Sequence, residues 1–310
     1  MDALRYPKHR DLNASRAVIF SKTENKMYRI VDKKVLNPTV VQLKIEAPLV
    51  ASKARPGQFI ILRVDADGER IPLTVAGVDK KDGTVKIIYQ IVGSTTEKLS
   101  HKEAGDYIED FVGPLGTATH LDGLTRVCIV GGGVGCAIAM PIAEALHEMG
   151  AEVTSIVGFR NKDLVILEEE FRACSDTIRI MTDDGSYGEA GNVTLPLREM
   201  LEAGKQFDMI ITIGPLIMMK FVVETARPFG TPVTVSMNPV MVDGTGMCGG
   251  CRLTLNVGGE RVTKFACVDG PDFNGYEIDF DEAMSRGRMY YGFERHKHEE
   301  TCNLFAKEVR

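Results

Sequence analysis

The residues best suited to chemistry lie toward the carboxyl end: Asp243-Gly-Thr-Gly-Met-Cys248-Gly-Gly-Cys251, followed by Cys267 in Phe-Ala-Cys-Val-Asp-Gly-Pro. A C-x2-C pair with a third cysteine across a hairpin-like stretch asks for a metal, because thiolates are soft, strongly donating ligands. A four-thiolate zinc site needs one more cysteine, and only Cys302 in the tail lies downstream. The spacing C-x4-C-x2-C with a distant fourth cysteine holds a 2Fe-2S cluster. Asp243 stands where the first cysteine of that spacing falls. A carboxylate can ligate iron, so Asp243, Cys248, Cys251 and Cys267 form a candidate ligand set. The intervening glycines let the loop close around inorganic sulfide. Spacing alone leaves zinc, free thiols and Asp243 as a turn residue open. The isolated Cys128, Cys136 and Cys174 read as small core residues.

A second constellation is Gly131-Gly132-Gly133-Val134-Gly135, set between a strand-like and a helix-like segment. Glycines there let backbone N–H groups approach a pyrophosphate at a helix N-terminus. It is not a strict GxGxxG, and a tight turn without ligand explains it too. The acidic residue expected some 20 positions on, which would take the ribose hydroxyls, is not evident. The next strand ends in Gly-Phe-Arg160-Asn-Lys162, whose basic residues leave a 2′-phosphate possible. Asp183-Asp184-Gly-Ser-Tyr-Gly and Gly214-Pro215 follow later strands. Singly these read as turns, but together they converge on the strand ends where parallel sheets bind ligands. Nearer the start, Arg70-Ile-Pro72-Leu73-Thr74 pairs a cation with a hydroxyl, and Gly93-Ser94-Thr95-Thr96 opens a helix-like run. Such a helix start can hold a phosphate; on spacing alone a plain N-cap at Thr95 or Thr96 is the better reading.

The elements that must position these groups fall into blocks. Residues 1–26 are polar and aperiodic and read as an extension. From Met27, β-branched runs separated by Arg55-Pro-Gly, Asp65-Ala-Asp-Gly, Lys81-Asp-Gly and Gly113-Pro-Leu-Gly predict a small antiparallel barrel over 27–122. Over 123–239 strands alternate with helices, which predicts a doubly wound α/β domain. Residues 240–285 form a Gly-rich, cysteine-bearing piece too small for a core of its own, and 286–310 a charged tail.

Composition narrows the class. The 310 residues carry 37 Lys and Arg against 43 Asp and Glu, a net charge of −6, which argues against nucleic acid or an anionic membrane as a partner. No apolar run approaches the roughly 18 residues that span a bilayer, and the first residues lack a signal peptide's apolar stretch. A cytoplasmic protein is expected.

Barrel, nucleotide domain and cysteine loop in this order resemble the ferredoxin–NADP reductase superfamily. Residues 27 to about 283 fit. Arg70-Ile-Pro-Leu-Thr, Ile213-Gly-Pro-Leu-Ile-Met-Met-Lys220 and Met247-Cys-Gly-Gly-Cys-Arg with Phe-Ala-Cys-Val-Asp-Gly-Pro carry the resemblance. Within the superfamily, the chain is similar to the electron-transfer subunit of dihydroorotate dehydrogenase. It is more similar to the small subunit of NADH-dependent reduced ferredoxin:NADP oxidoreductase, which shares three cysteines and an aspartate where the former has four cysteines. The resemblance implies FAD in the barrel, with Arg70 on its phosphates, Thr74 near the isoalloxazine, Gly93–Thr96 along the pyrophosphate, and Pro72 and Leu73 as further cofactor-binding residues. Thr74 is the candidate catalytic position. NAD(H) lies over Gly131–Gly135, with Asp184, Gly214 and Pro215 near its nicotinamide half. Where the superfamily often has cysteine before the Gly-Pro, this chain has Ile213, so no thiol acts there. The implied partner is a larger flavin and 4Fe-4S subunit, similar to the glutamate synthase small chain, through which ferredoxin is reached. The implied activity is an NAD(P)H-dependent ferredoxin oxidoreductase. The other readings are a dihydroorotate dehydrogenase electron-transfer subunit, a zinc-stabilised binding module and a stand-alone NADPH reductase.

Overall fold

The computed structural model describes residues 27–289; the expected extension 1–26, Cys302 and most of the expected tail lie outside them. The first block is a seven-stranded antiparallel sheet that curls into a near-closed barrel. Its strands are β1 (Tyr28–Asn37), β2 (Val40–Glu46), β3 (Phe59–Arg63), β4 (Arg70–Asp79), β5 (Thr84–Gln90), β6 (Tyr107–Ile108) and β7 (Asp110–Leu115). They run in the order β6-β1-β2-β5-β4-β3-β7. Helix α1 (Pro48–Lys53) follows β2, and α2 (Ser94–Ser100) follows β5. Ile30, Leu43, Ile45, Ile60, Leu62 and Ile87 fill the barrel, the alternate inward positions of their strands.

The second sheet has the order β11-β10-β9-β8-β12-β13-β16. Its strands are β8 (Arg126–Gly132), β9 (Glu152–Phe159), β10 (Thr177–Thr182), β11 (Glu189–Ala190), β12 (Met209–Ile213), β13 (Val233–Ser236) and β16 (Asp272–Asn274). All neighbours are parallel except β13 and β16. Helices α3 (Cys136–Glu148), α4 (Glu168–Ala173), α5 (Thr194–Glu202) and α6 (Leu216–Ala226) connect them. The run Val127-Cys-Ile-Val is buried throughout because helices cover both faces of the central strand. Its cysteine and those at 136 and 174 are buried core residues. Between β13 and β16 lies the hairpin β14 (Arg252–Val257) and β15 (Glu260–Phe265), and α7 (Phe280–Gly287) closes the described chain.

The cysteine-bearing piece has no separate core. Cys251, Leu253, Leu255, Cys267 and Phe273 share one apolar cluster with Phe59 and Ile61 of β3 and Val233 and Val235 of β13. It is anchored twice, by β16 on the nucleotide sheet and by packing against the barrel wall. That places the cysteine loop at the junction of the two larger blocks.

Asp208 secures the starts of β8 and β12. Its Oδ2 accepts hydrogen bonds from Thr125 N (2.8 Å), Thr125 Oγ1 (2.7 Å) and Arg126 N (2.8 Å). The Thr125 hydroxyl, with the two amides, pulls the Asp208 carboxyl down to about 2. A depressed folded-state value means that the stabilisation is complete above the unfolded value, about 3.9. It is lost as the pH falls toward 2. Asp208→Asn is therefore expected to cost about 1 kcal/mol at neutral pH, a figure already reduced for solvent screening. Melting curves of wild type and variant should converge between pH 4 and pH 2; a constant gap across that range contradicts this role.

Candidate functional site

Three groups of residues flank the junction. The first lies on β4. Its opening half, Arg70 to Thr74, is exposed or half-buried at every position, while Phe59–Leu62 on the neighbouring strand are fully buried. A strand with apolar residues open on successive positions is a surface made to be covered, and a flat ring system suits it. The Arg70 guanidinium reaches Asp110 Oδ2 at only 3.4 Å, whereas Arg63 Nε holds the same oxygen at 2.6 Å. Arg63 thus satisfies Asp110 and leaves Arg70 free to meet an anion. Sequence reading missed Arg63 and Asp110, whose only signal is their register on β3 and β7.

At α2, Thr96 Oγ1 accepts hydrogen bonds from Val92 N and Gly93 N, both at 3.0 Å, so this hydroxyl serves the helix start. The expected N-cap at Thr95 or Thr96 falls instead on Gly93; Thr96 is the third residue of the helix and braces its start from inside. Thr95 Oγ1 donates to Glu69 Oε2 at 3.3 Å. Ser94, Thr95 and Lys98 line a cavity of about 170 Å³ with Asp67 and Glu69. A Cβ added at Gly93 meets nothing within 4 Å, so the space beside this backbone is open.

The second group is the glycine loop between β8 and α3. Here the glycines serve two different ends. A Cβ at Gly135 would stand 2.5 Å from Ile213 O and 2.8 Å from Gly214 Cα; one at Gly132 would stand 2.3 Å from Met218 Sδ. These residues, with Gly214, let the ends of β8 and β12 approach backbone to backbone. Gly133 is different: its φ is +56°, a Cβ there meets nothing, and the residue is exposed, so the backbone at this point is open to a ligand. Gly135→Ala should cost about 2 kcal/mol through overpacking against backbone that cannot move aside. That lowers the melting temperature by about 4–8 °C; a melt within a degree of wild type contradicts the close approach.

Pro215 is exposed just before α6, beside this loop. Asp184 is not brought to it. Its strand β10 is separated from β12 by β9 and β8, roughly 14 Å at the usual strand spacing. Asp184 Oδ1 accepts Ser186 N at 2.9 Å, and hydrogen bonds from Ser186 hold its carboxyl below the usual range. It belongs with Arg160 and Lys162 at the ends of β9 and β10.

The third group is the cysteine loop. Gly244, Gly246 and Gly249 take left-handed backbone with φ of +75°, +86° and +65°. A Cβ at Gly244 would stand 2.8 Å from Leu115 and 2.9 Å from Ile61, which sets how closely the loop hugs the barrel. The four candidate ligands fall into two pairs. Cys251 and Cys267 are buried with their Sγ atoms 3.2 Å apart. Asp243 Oδ2 accepts Cys248 N at 2.8 Å while Oδ1 accepts Thr245 N at 2.8 Å, and these amides hold the carboxyl below its usual range. Cys248 is exposed.

Among the described residues no three His, Cys, Asp or Glu side chains converge on one metal position. One thiol pair and an Asp243 bonded to the Cys248 backbone suit a cluster whose two irons each take two protein ligands. Two thiolates on one tetrahedral ion with bonds of about 2.3 Å sit about 3.8 Å apart, so the Cys251–Cys267 pair at 3.2 Å would open by about 0.6 Å to hold one. Without a cation, burial and the neighbouring Cys251 push the Cys267 thiol up to about 12. Gly250 N and Cys267 N each donate to a cysteine sulfur at 3.4 Å, the kind of outer hydrogen bond that steadies thiolate charge. The donor set therefore fits a 2Fe-2S cluster.

An antiparallel barrel with an open arginine-bearing strand, a parallel sheet with a glycine loop, and a cysteine loop between them define a reductase of the ferredoxin–NADP reductase fold. Comparisons with known proteins narrow this. Residues 238–279 match the family described as the iron-sulfur cluster binding domain of dihydroorotate dehydrogenase B. The chain is 46% identical over 261 residues to the dihydroorotate dehydrogenase B electron transfer subunit homolog of Thermotoga maritima, covering 84% of this chain and 90% of that one. It is 36% identical over 255 residues to the dihydroorotate dehydrogenase B electron transfer subunit of Geobacillus thermodenitrificans, covering 80% and 96%. Among solved structures it is similar to a chain of the NADH-dependent reduced ferredoxin-NADP oxidoreductase, studied for flavin-based electron bifurcation. That match has 43% identity and a TM-score of 0.82, and covers 91% of this chain and 98% of that chain. The chain belongs to the family of dihydroorotate dehydrogenase B electron-transfer subunits and their homologues. Among the described residues no helix is long and apolar enough to cross a membrane.

Proposed function

We propose that this chain is the NADH-linked electron-transfer subunit of an electron-bifurcating NADH/NADPH:ferredoxin oxidoreductase, holding FAD, a 2Fe-2S cluster and, in turnover, NAD(H). The observation that carries it is the near-complete match to a chain of the NADH-dependent reduced ferredoxin-NADP oxidoreductase, joined to the two-and-two pairing of Asp243, Cys248, Cys251 and Cys267. The functional units are 27–122 for flavin, 123–239 for dinucleotide and 240–285 for the cluster.

When bound, the flavin exchanges hydride with nicotinamide and single electrons with the cluster, chemistry that belongs to the cofactors. The chain's own residues position and insulate. Arg70 takes the flavin phosphates, Pro72, Leu73 and Thr74 form the floor under the ring, and the helix start at Ser94 offers free amides. Gly133 offers an unobstructed amide to the dinucleotide. Phe59 and Ile61 fill the space between the barrel wall and the buried cysteine pair, keeping water from the route between the two centres. Asp243 and Cys248 would hold the outer side of the cluster, with Cys248 exposed toward a partner. That partner is a larger flavin and 4Fe-4S subunit that oxidises NADPH and reduces ferredoxin.

The family names favour a second reading, service to a dihydroorotate-oxidising subunit. Reconstitution with each kind of partner separates the two. The proposal expects NADPH-dependent ferredoxin reduction that also requires NAD+, two electrons from each pair of NADPH molecules passing to NAD+ and one to each of two ferredoxins, and only in the presence of the larger flavin and 4Fe-4S subunit. Dihydroorotate turnover coupled to NAD reduction overturns it.

A further inference from the structure

The ends of β9 and β10 raise a question of selectivity. Arg160 and Lys162 stand where basic residues accommodate a 2′-phosphate, and no acidic residue ends β9 to take ribose hydroxyls. A cavity of about 520 Å³ opens at this edge, lined in part by Lys162, Val165, Leu167, Glu168 and Tyr187. It flanks the strand next to the one that carries the glycine loop. The two loops around it are stitched together: Lys162 N donates to Ser186 Oγ at 2.8 Å, and Asp184 N donates to Arg160 O at 3.3 Å.

The missing carboxylate arrives from elsewhere in the chain. Leu167 takes left-handed backbone, φ +59°, and Glu168 begins α4 directly after it. The Tyr187 hydroxyl donates to the Glu168 carboxylate, 2.9 Å from each oxygen. Arg172 Nε and Nη2 donate to Oε1 at 3.0 and 2.7 Å. The Glu168 side chain is only 18% exposed, so its carboxylate is fixed at the cavity wall. Oε2 accepts from Tyr187 alone among the described residues and keeps an unused lone pair. Glu169 and Glu170 continue the same wall, against the single ammonium of Lys162, whose Nζ stands 5.7 Å from the Tyr187 ring centroid. Asn161 Oδ1, one residue before Lys162, is a buried acceptor without a partner among the described residues.

We propose that Glu168, held by Tyr187 and Arg172, is the specificity-determining carboxylate of the dinucleotide site: it accepts an adenosine ribose hydroxyl and turns away a 2′-phosphate, so the chain takes NADH in preference to NADPH. This rests on the reading of the second sheet as the dinucleotide site. A 2′-phosphate adds a charge of about −2 beside the half-buried Glu168 carboxylate, which Arg172 pairs on Oε1 and leaves open on Oε2, with the exposed Glu169 and Glu170 alongside. The diol of NADH instead donates to them.

Calorimetric titration of the anaerobic holoprotein with 5′-ADP and with 2′,5′-ADP tests this without turnover. Wild type is expected to bind 5′-ADP at least about tenfold more tightly. Glu168→Gln keeps the shape and an acceptor for Tyr187 while removing the charge. It should weaken 5′-ADP about threefold and strengthen 2′,5′-ADP about tenfold, collapsing the preference. Tyr187→Phe, which removes one hydroxyl, should narrow the preference about threefold and serves if the first variant does not fold. An unchanged ratio in either folded variant, with both nucleotides still bound, overturns the role of Glu168 alone. Failure of wild type to bind either nucleotide overturns the dinucleotide reading with it.

Discussion

Cys267→Ser is expected to yield a chain that keeps its FAD and loses its cluster, with iron falling from about two atoms per chain to near zero. Cys267 and Cys251 form the buried pair, 3.2 Å apart, and in the proposed ligand set one iron would depend on both. A serine hydroxyl ionises far less readily than a thiol and is a poor ligand for this metal. The fold should survive, because the substitution is nearly isosteric and Cys251 remains as a hydrogen-bond partner. Stability should fall by about 1–3 kcal/mol for the buried hydroxyl. Cys128→Ser provides the contrast. Its thiol is buried in the parallel sheet, where desolvation pushes it up to about 12, and no ligand stands near it. That variant should lose stability and no iron. Iron and sulfide assays on flavin-loaded protein decide the matter, and full iron in Cys267→Ser removes it from the ligand set.

Arg70→Ala is expected to release FAD while leaving the barrel and the cluster intact. Asp110 stays paired with Arg63 at 2.6 Å, so no carboxylate is stranded. The barrel itself should change by no more than about 0.5 kcal/mol. The loss falls on the charge-assisted contacts with the flavin phosphates, about 1.5–3 kcal/mol, or roughly 10- to 150-fold in affinity. Arg70→Lys should recover part of this, having the charge without the two-pronged geometry. Flavin content after dialysis, read beside iron content, is the measurement. Full FAD occupancy in Arg70→Ala contradicts the assignment.

Much of the architecture was legible in the sequence because period and punctuation agreed. The continuous run Val127–Val130 followed by glycines specified a central parallel strand and its turn, and β8, the loop and α3 lie there. The helices expected between the strands of 123–239 appear as α3, α4, α5 and α6. The three-residue β16 carries no alternation to detect; it exists because the edge of β13 offers free backbone groups. The two-residue β11 is similar. Spacing named Asp243 but could not show that its oxygens also accept two loop amides.

Long-range pairings were the least legible. The Arg63–Asp110–Arg70 arrangement depends on strand register, and the Glu168–Tyr187 contact joins residues 19 apart through a left-handed turn at a leucine. Asp184 shows the converse. Its place after a strand puts it at the same end of the sheet as the glycine loop, while strand order, which one sequence does not reveal, sets it apart from Gly214 and Pro215. Local pattern fixes which residues form an element; which strand ends become neighbours is decided by packing across the whole sheet.

The most direct test of the central claim is an absorption and EPR spectrum of the anaerobic chain before and after one equivalent of NADH, with iron, sulfide and zinc measured on the same sample. The account predicts one flavin and about two irons per chain, bleaching of the flavin bands by NADH, and the EPR signal of a reduced 2Fe-2S cluster. A colourless chain that carries zinc and takes up neither flavin nor iron on reconstitution contradicts it and makes the cysteine loop a structural clasp.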